Sequence, residues 1–362
     1  MKNDTRPRVG IVIQTMNRPD FLIRQLEYFV RMKNPHPIYI GDASNKKNKD
    51  KLRPVIEELG GRLNINYIEQ PEGYPLFEAR LDLYNKVKEE YCVYSGDDDY
   101  VIPDSLTKCA EFLQHNPDYS TASGYSIAFR LKENNVYGEL VRLSEYPRCN
   151  IESSTASKRL IDIMSNFTIL GFSVQRTKDR KKAWQYKIKD FTFCNDMFPV
   201  MIDAILGKAK LINCISLIRQ LDNVKNTPFI NRHIFDWVVS DDFNSSYHVC
   251  REILANEISK IDKININEAN KVVKQAFWSY FGIGLPHEYK KIYDDQPKRG
   301  KNGSLWRKIR FRLGQKIPWL KKFYLRIAPV LPIYEKVMQP LSPYYKDFKP
   351  VLDSFTGKYR NF

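Results

Sequence analysis

Three consecutive carboxylates, Asp97, Asp98 and Asp99, follow the apolar run Tyr91-Cys-Val-Tyr94 and the pair Ser95-Gly96. Like charges packed this closely repel, and they are costly to desolvate unless a cation sits among them. Hard carboxylate oxygens suit Mg²⁺ or Mn²⁺, which take few protein ligands and leave positions open for substrate phosphates. If Tyr91–Tyr94 is a buried strand, the cluster stands at its carboxyl end, where open α/β sheets place their ligands. The chemistry expected is a metal–diphosphate site; the plain alternative is an acidic surface turn. In an extended backbone alternate side chains face opposite ways. Asp97 and Asp99 would then share a side that Asp98 does not.

Such a cluster has to be positioned by a sheet, and the sequence before it alternates accordingly. The β-branched run Val9–Gln14 reads as a central parallel strand, and Pro19 and Asp20 open a helix with Leu22, Leu26, Phe29 and Val30 on one face. Pro37–Gly41 and Leu63–Ile68 read as strands, and the helix carrying Leu52, Val55, Ile56 and Leu59 stops at Gly60-Gly61. Leu76–Lys88 reads as the helix ahead of the carboxylate strand. The order β-α-β-α-β-α-β predicts a parallel sheet between two helical layers. Beyond it, helices are expected over Ser105–His115, Ile151–Phe167, Lys178–Lys189, Asn195–Leu206 and most of Ile230–Tyr280, with strands at Tyr119–Phe129 and Lys210–Arg219.

The chain has 362 residues, 43% of them hydrophobic, enough for a sizeable core. No apolar run approaches the roughly 18 residues of a spanning helix. The polar N-terminus shows no signal-peptide segment. The six cysteines are scattered with no Cys-x-x-Cys pair, which indicates neither zinc nor a disulfide framework and suits a reducing cytoplasm. The net charge of +16 is concentrated at the end: Lys298–Arg360 holds sixteen Lys/Arg against three Asp/Glu.

Four segments in order, Val12-Ile-Gln-Thr-Met-Asn-Arg-Pro19, Ile40-Gly-Asp-Ala-Ser44, Glu78-Ala-Arg80 and Gly96-Asp-Asp-Asp-Tyr-Val-Ile-Pro103, resemble a bacterial subfamily of the large inverting glycosyltransferase family 2. The resemblance is good from about Val9 to Gly124, weaker to about Asn223, and absent after that. It implies a GT-A fold: a Rossmann-like sandwich with a central, mostly parallel sheet, followed here by a helical C-terminal region. It also implies Mn²⁺ or Mg²⁺ and a nucleotide-sugar donor. By resemblance, Thr15, Asn17 and Arg18 contact phosphate or nucleobase, Asp42 the nucleobase or ribose, Arg80 the donor, and Arg219 closes over the diphosphate. The plain alternatives are an N-cap with a surface Arg, an Asx turn at Asp42, and an ion pair of Arg80 with Glu78 or Glu89. Relatives usually carry Asp-x-Asp-Asp. Here Gly96 takes the first position, so the metal pair is assigned to Asp97 and Asp99 and Asp98 is placed toward the sugar.

In-line displacement at an anomeric carbon needs a carboxylate to take the acceptor proton. By resemblance this base lies about one hundred residues past the cluster at a helix start, which Asp196 fits, with Asp190 and Asp203 as substitutes. A helix N-terminus stabilises such an anion, though Asp is also a common N-cap. Relatives often carry a His after Arg219; none stands there, and Asp222 is the substitute considered for a third metal ligand.

In the basic end, Trp306, Ile309, Leu313 and Ile317 form a stripe crowded by Arg307, Lys308, Arg310, Arg312 and Lys316, and Trp319, Leu320, Phe323 and Ile327 repeat it. This composition suits an anionic membrane surface, or else the domain's own acidic face; no recognised module supports nucleic-acid binding. The expected organisation is a nucleotide-sugar-binding and acceptor domain (1–225), a helical extension (226–297) and a membrane-associating tail (298–362). The expected activity is transfer to a glycan or lipid-linked acceptor in surface polysaccharide or lipopolysaccharide synthesis, at the inner face of the cell membrane. A catalytically silent glycan- or sugar-nucleotide-binding subunit is the alternative. A nucleotidyltransferase would need a Gly-rich phosphate loop that Thr15–Pro19 lacks.

Overall fold

The computed structural model describes residues 6–133, 135–186, 188, 197–221, 234–293 and 332–357. The first half alternates as the pattern predicts: β1 (Val9–Thr15), α1 (Pro19–Arg31), β2 (Ile38–Asp42), α2 (Lys46–Leu59), β3 (Ile65–Glu69), α3 (Leu76–Lys86) and β4 (Tyr91–Gly96). Pro19 opens α1 with Asp20 in its first turn, and the Asn45 side chain caps α2 by accepting from the Asn48 amide. There follow β5 (Tyr100–Val101), α4 (Pro103–His115), β6 (Tyr119–Leu131), β7 (Leu140–Tyr146), α5 (Ala156–Ser165), β8 (Val174–Arg176), α6 (Thr177–Trp184), α7 (Phe198–Leu206) and β9 (Lys208–Gln220). The C-terminal helices are α8 (Ile234–Val238), α9 (Asp241–Asp262), α10 (Ile266–Tyr293), α11 (Ile333–Lys336) and α12 (Tyr345–Phe355).

The nine strands form one sheet in the order β3-β2-β1-β4-β8-β6-β9-β5, with β7 paired to β6. β3, β2, β1 and β4 are parallel, with Thr15 beside Asp42 and Gln14 beside Gly96, so three strands end at one level. Since β1 lies between β2 and β4, the winding direction reverses at the β1–β4 seam, the place where such sheets bind ligands. The pleat sends side chains to two cores. Val9, Ile11, Ile13, Tyr91 and Val93 join α1, α2 and α4 on one face, while Val12 and Cys92 join α3, α5, α6, α7, α9 and α10 on the other.

Three parts differ from the sequence pattern. Strands β5 and β8, of two and three residues, are too short to show periodicity, and the seven residues of β7 do not alternate apolar with polar. The helical extension is not a separate layer, because Leu254, Ile258, Val273 and Phe277 share a core with Leu160 and Ile202. The tail expected from 298 also needs correction over its final part. Val337, Phe348, Val351 and Phe355 are fully buried in the core of the sheet, and Phe355 stacks on Phe129 of β6 with ring centroids 4.5 Å apart. The stripe Trp306–Ile327 lies outside the described residues.

Candidate active site

Gly96 ends β4, and the backbone turns at once: the Asp99 amide donates to the Gly96 carbonyl at 3.3 Å. The extended backbone assumed from the sequence is therefore absent here, and alternation does not separate the carboxylates. Asp97, Asp98 and Asp99 are all buried, and Arg18 bridges the first two. Its Nη1 donates to Asp97 Oδ1 at 2.7 Å and its Nη2 to Asp98 Oδ2 at 2.8 Å. Arg18 stands at the N-cap position of α1, over the Phe21 ring. Thr15, the last residue of β1, donates its hydroxyl to Asp97 Oδ2 at 2.9 Å.

Two α1 residues that the sequence reading passed over hold this turn. Gln25 Nε2 offers its two protons to Ser95 Oγ, the Gly96 carbonyl and the Asp99 carbonyl, at 2.9, 2.7 and 2.6 Å. Arg24 donates to the Asp98 carbonyl at 3.0 Å and to Gln220 Oε1 at 2.8 Å. Both are fully buried between Leu22 and Leu26. A polar pair at core positions of an apolar helix face was the available signal, since buried polar groups need partners.

Arg219, near the end of β9, closes the other side. Its Nε donates to Asp99 Oδ2 at 3.1 Å and its Nη1 to the Tyr146 hydroxyl at 2.9 Å. Its guanidinium lies 4.2 Å from the Phe172 ring, which packs on Tyr94, and Tyr94 in turn carries Arg80 at 4.1 Å. Arg80 donates to Gln14 Oε1 at 2.6 Å and stacks on Trp184. Cations and rings thus alternate from the β1 side to Asp99. Tyr146 and Phe172 lie in segments with no local motif.

The other expected contacts are placed less simply. Asn17 adopts a left-handed φ of 58°, and its side chain accepts from the Asn45 amide and from Asn48 Nδ2, tying the β1–α1 loop to α2. Asp42 is fully buried. Its Oδ1 accepts from the Ser44 amide, closing an Asx turn, and its Oδ2 accepts from the Tyr67 hydroxyl. Asp203, a substitute for the base, is corrected. It is 1% exposed and pairs with Arg180 at 2.9 Å and Gln175 at 2.6 Å. Gln175 lies beside Cys92, five residues and about 16 Å of strand before Asp97. Asp196, Asp190 and Asp222 lie outside the described residues.

Burial pushes the Asp97 carboxyl up to about 7, against the pull of Arg18, and Asp99 up to about 6, against Arg219. Burial works to lower Arg219, but Asp99 and Tyr146 outweigh it and the net shift is upward. Among the described residues no three acidic, His or Cys side chains form a ready cage for a metal. Two carboxylates do converge: a Cβ built on Gly96 would stand 2.8 Å from Asp98 Oδ1 and 3.0 Å from Asp99 Oδ2. That half-site of hard oxygens fits Mg²⁺ or Mn²⁺, which are bound by one or two carboxylates together with substrate phosphates. Both oxygens of Asp97 are held by Thr15 and Arg18, and both of Asp99 by Gln220 and Arg219; the two carboxylate oxygens nearest the Gly96 position are those of Asp98 and Asp99.

A family model described as Glycosyl transferase family 2 matches residues 10–204. Among solved structures, the crystal structure of S. aureus TarS is 14% identical with a TM-score of 0.51, covering 78% of this chain and 45% of that one. The crystal structure of S. aureus TarS 1-349 in complex with UDP-GlcNAc is 14% identical with a TM-score of 0.52, covering 79% and 76%. The chain thus spans under half the length of the first structure, and the likeness is one of fold. With more than half of the 362 residues matched and the carboxylate turn set at the sheet's switch point, this chain belongs to glycosyl transferase family 2.

Proposed function

We propose that the chain transfers a sugar, with inversion, from a nucleotide-sugar donor to a glycan or lipid-linked acceptor. The observation that carries the reading is the convergence of Asp98 Oδ1 and Asp99 Oδ2 above Gly96, between Arg18 and Arg219. UDP-GlcNAc in the S. aureus TarS 1-349 complex is a donor of the class expected.

Asp98 and Asp99 would hold Mg²⁺ or Mn²⁺, which supplies positive charge for the leaving diphosphate. Arg219 stands on the same side as Asp99 and adds a fixed cation there. Arg18 holds Asp97 and Asp98 in register with the first strand, and Thr15 fixes Asp97. Arg80 and Asn17 shape the donor side, next to Gln14 and the β2–α2 loop. Asp196 is proposed as the base that takes the acceptor proton. Among the described residues no helix is long and apolar enough to cross a membrane. The basic stripes between Trp306 and Ile327 support peripheral docking on an anionic inner leaflet, and with it a role in surface polysaccharide or lipopolysaccharide synthesis.

A panel of nucleotide sugars, screened by thermal shift with and without Mn²⁺ and then by donor hydrolysis, tests the proposal. One donor is expected to raise the midpoint in a metal-dependent way, with hydrolysis lost in Asp99→Ala and Asp196→Ala. If no nucleoside diphosphate binds with any metal, the reading fails. Metal-dependent binding without turnover would instead indicate a silent binding subunit.

A further inference from the structure

Helix α10 carries an uncharged run, Ala276-Phe-Trp-Ser-Tyr-Phe-Gly-Ile-Gly-Leu-Pro286. A helix that is apolar all round needs cover on every side. One side has it. Ala276 and Phe277 share a core with Leu254 and Ile202, Phe281 packs on Trp237, and Ile234 of α8 lies where a Gly284 side chain would stand. The opposite side faces outward. Trp278 is 68% exposed, Ile283 57% and Tyr289 63%, and a Cβ built on Gly282 would meet nothing within 4 Å. Lys271, Trp278, Gly282 and Tyr289 recur at helical spacing along one exposed stripe, flanked by the exposed Lys274 and Lys290. The acids of α10, Glu268 and Glu288, stand outside the uncharged run, and Glu288 accepts from the Ile234 amide. Large apolar side chains gathered in the open among lysines mark a contact surface.

We propose, resting on the peripheral docking proposed above, that this face of α10 lies on an anionic lipid surface: Trp278, Ile283 and Tyr289 enter the headgroup boundary, and Lys271, Lys274 and Lys290 meet lipid phosphates. Trp and Tyr suit that depth because each has an apolar body and a polar edge, and lysine stems reach from apolar surface to charge. Among the described residues no helix can cross a membrane, so α10 lies along the leaflet. Two observations favour lipid over a protein partner. First, α10 ends at Tyr293 and the chain passes directly into residues 294–331, which hold eleven Lys/Arg against two Asp. A leaflet that holds that sequence is within reach of the last turns of α10, and both present the same sign of charge to it. Second, Phe167 packs edge-on against Tyr280 with centroids 5.5 Å apart, and Phe172, five residues later, lies 4.2 Å from the Arg219 guanidinium. One short segment thus joins α10 to the candidate site, an arrangement that suits an acceptor held in the same leaflet.

Flotation of the full chain with vesicles of phosphatidylglycerol and phosphatidylcholine in equal parts, without sugar donor or metal, tests this. Wild type should bind. Trp278→Ser combined with Tyr289→Ser should weaken binding at least about tenfold, from the apolar area withdrawn from the lipid, while the unfolding midpoint stays unchanged. Depth gives a second readout. Trp306→Phe with Trp319→Phe leaves Trp278 as the exposed tryptophan beside the buried Trp184 and Trp237. Brominated phosphatidylcholine in the vesicles should quench that protein's emission, and adding Trp278→Phe should remove the quenching. Equal binding by wild type and the serine variant, or binding without quenching, overturns the proposal and leaves docking by the basic sequence standing. No binding by wild type overturns both. A midpoint several degrees lower in the serine variant would show that the chain itself covers this face. Loss of a dimer in light scattering, with vesicle binding unchanged, would show that a second copy does; either result overturns the proposal. Donor hydrolysis is measured without vesicles, so the transferase reading stands or falls separately.

Discussion

The Thr15 hydroxyl donates to Asp97 Oδ2 at 2.9 Å and so joins the carboxyl ends of two neighbouring parallel strands, β1 and β4. Both residues are almost wholly buried, so water does not replace the bond. Thr15→Val keeps the side-chain shape and removes the donor. It is expected to cost about 1.5–3 kcal/mol in urea unfolding at pH 7.5, the range for a bond to a charged group. A loss below about 0.5 kcal/mol would mean that Arg18 alone holds Asp97.

Gly96→Ala should act on the site and spare the fold. The added methyl would stand 2.8 Å from Asp98 Oδ1 and 3.0 Å from Asp99 Oδ2, pushing apart the two oxygens assigned to the metal. Calorimetry with Mn²⁺ and a nucleoside diphosphate should show affinity at least about tenfold weaker, as when the support of a metal site is disturbed. Asp98→Asn and Asp99→Asn should lose more than Asp97→Asn. Equal losses at all three positions would contradict the assignment of the pair.

The pH dependence follows from the raised carboxyls. Asp97 and Asp99 start from an ordinary value of 3.8 and stand at about 7 and about 6 in the fold. Between pH 4 and 7 the folded chain therefore binds more protons than the unfolded chain, and ligand-free stability falls as pH rises through that window. Metal on the proposed pair must displace the Asp99 proton, so the Mn²⁺-induced rise in unfolding midpoint should grow from pH 5.5 to pH 7.5. Thermal unfolding at three pH values, with and without Mn²⁺, checks both slopes. A metal effect that shrinks with rising pH would refute the assignment.

Phe355 stacks on Phe129 at an interplanar angle of 18°, next to Ser354, whose hydroxyl meets Tyr100 OH at 3.1 Å. Tyr100 directly follows Asp99, so the C-terminal helix reaches the carboxylate turn from beneath. Phe355→Ala is expected to cost about 3–5 kcal/mol as a buried cavity. Nucleoside diphosphate affinity should fall as well, because the turn loses its support. Chemical denaturation and calorimetry on the same preparation measure the two effects.

The sequence by itself determined the parallel half of the sheet and the place of the carboxylates. Period-two and period-3.6 patterns are local, and β1, α1, β2 and β4 each carry a whole pattern within their own residues. Arg18, Thr15 and Arg219 were legible because they stand beside strand ends in recognisable segments. Only the tertiary structure decided which carboxylates converge, since a turn at Asp97–Asp98 replaces the extended backbone that alternation assumes. It also decided that Gln25, Tyr146 and Phe172 belong to the site, that Asp203 belongs to the core, and that residues 332–357 return to the sheet. Those outcomes depend on contacts between residues as much as 254 positions apart, such as Tyr100 and Ser354. Such pairs leave no periodic trace in the chain because the packing that joins them is a property of the folded whole.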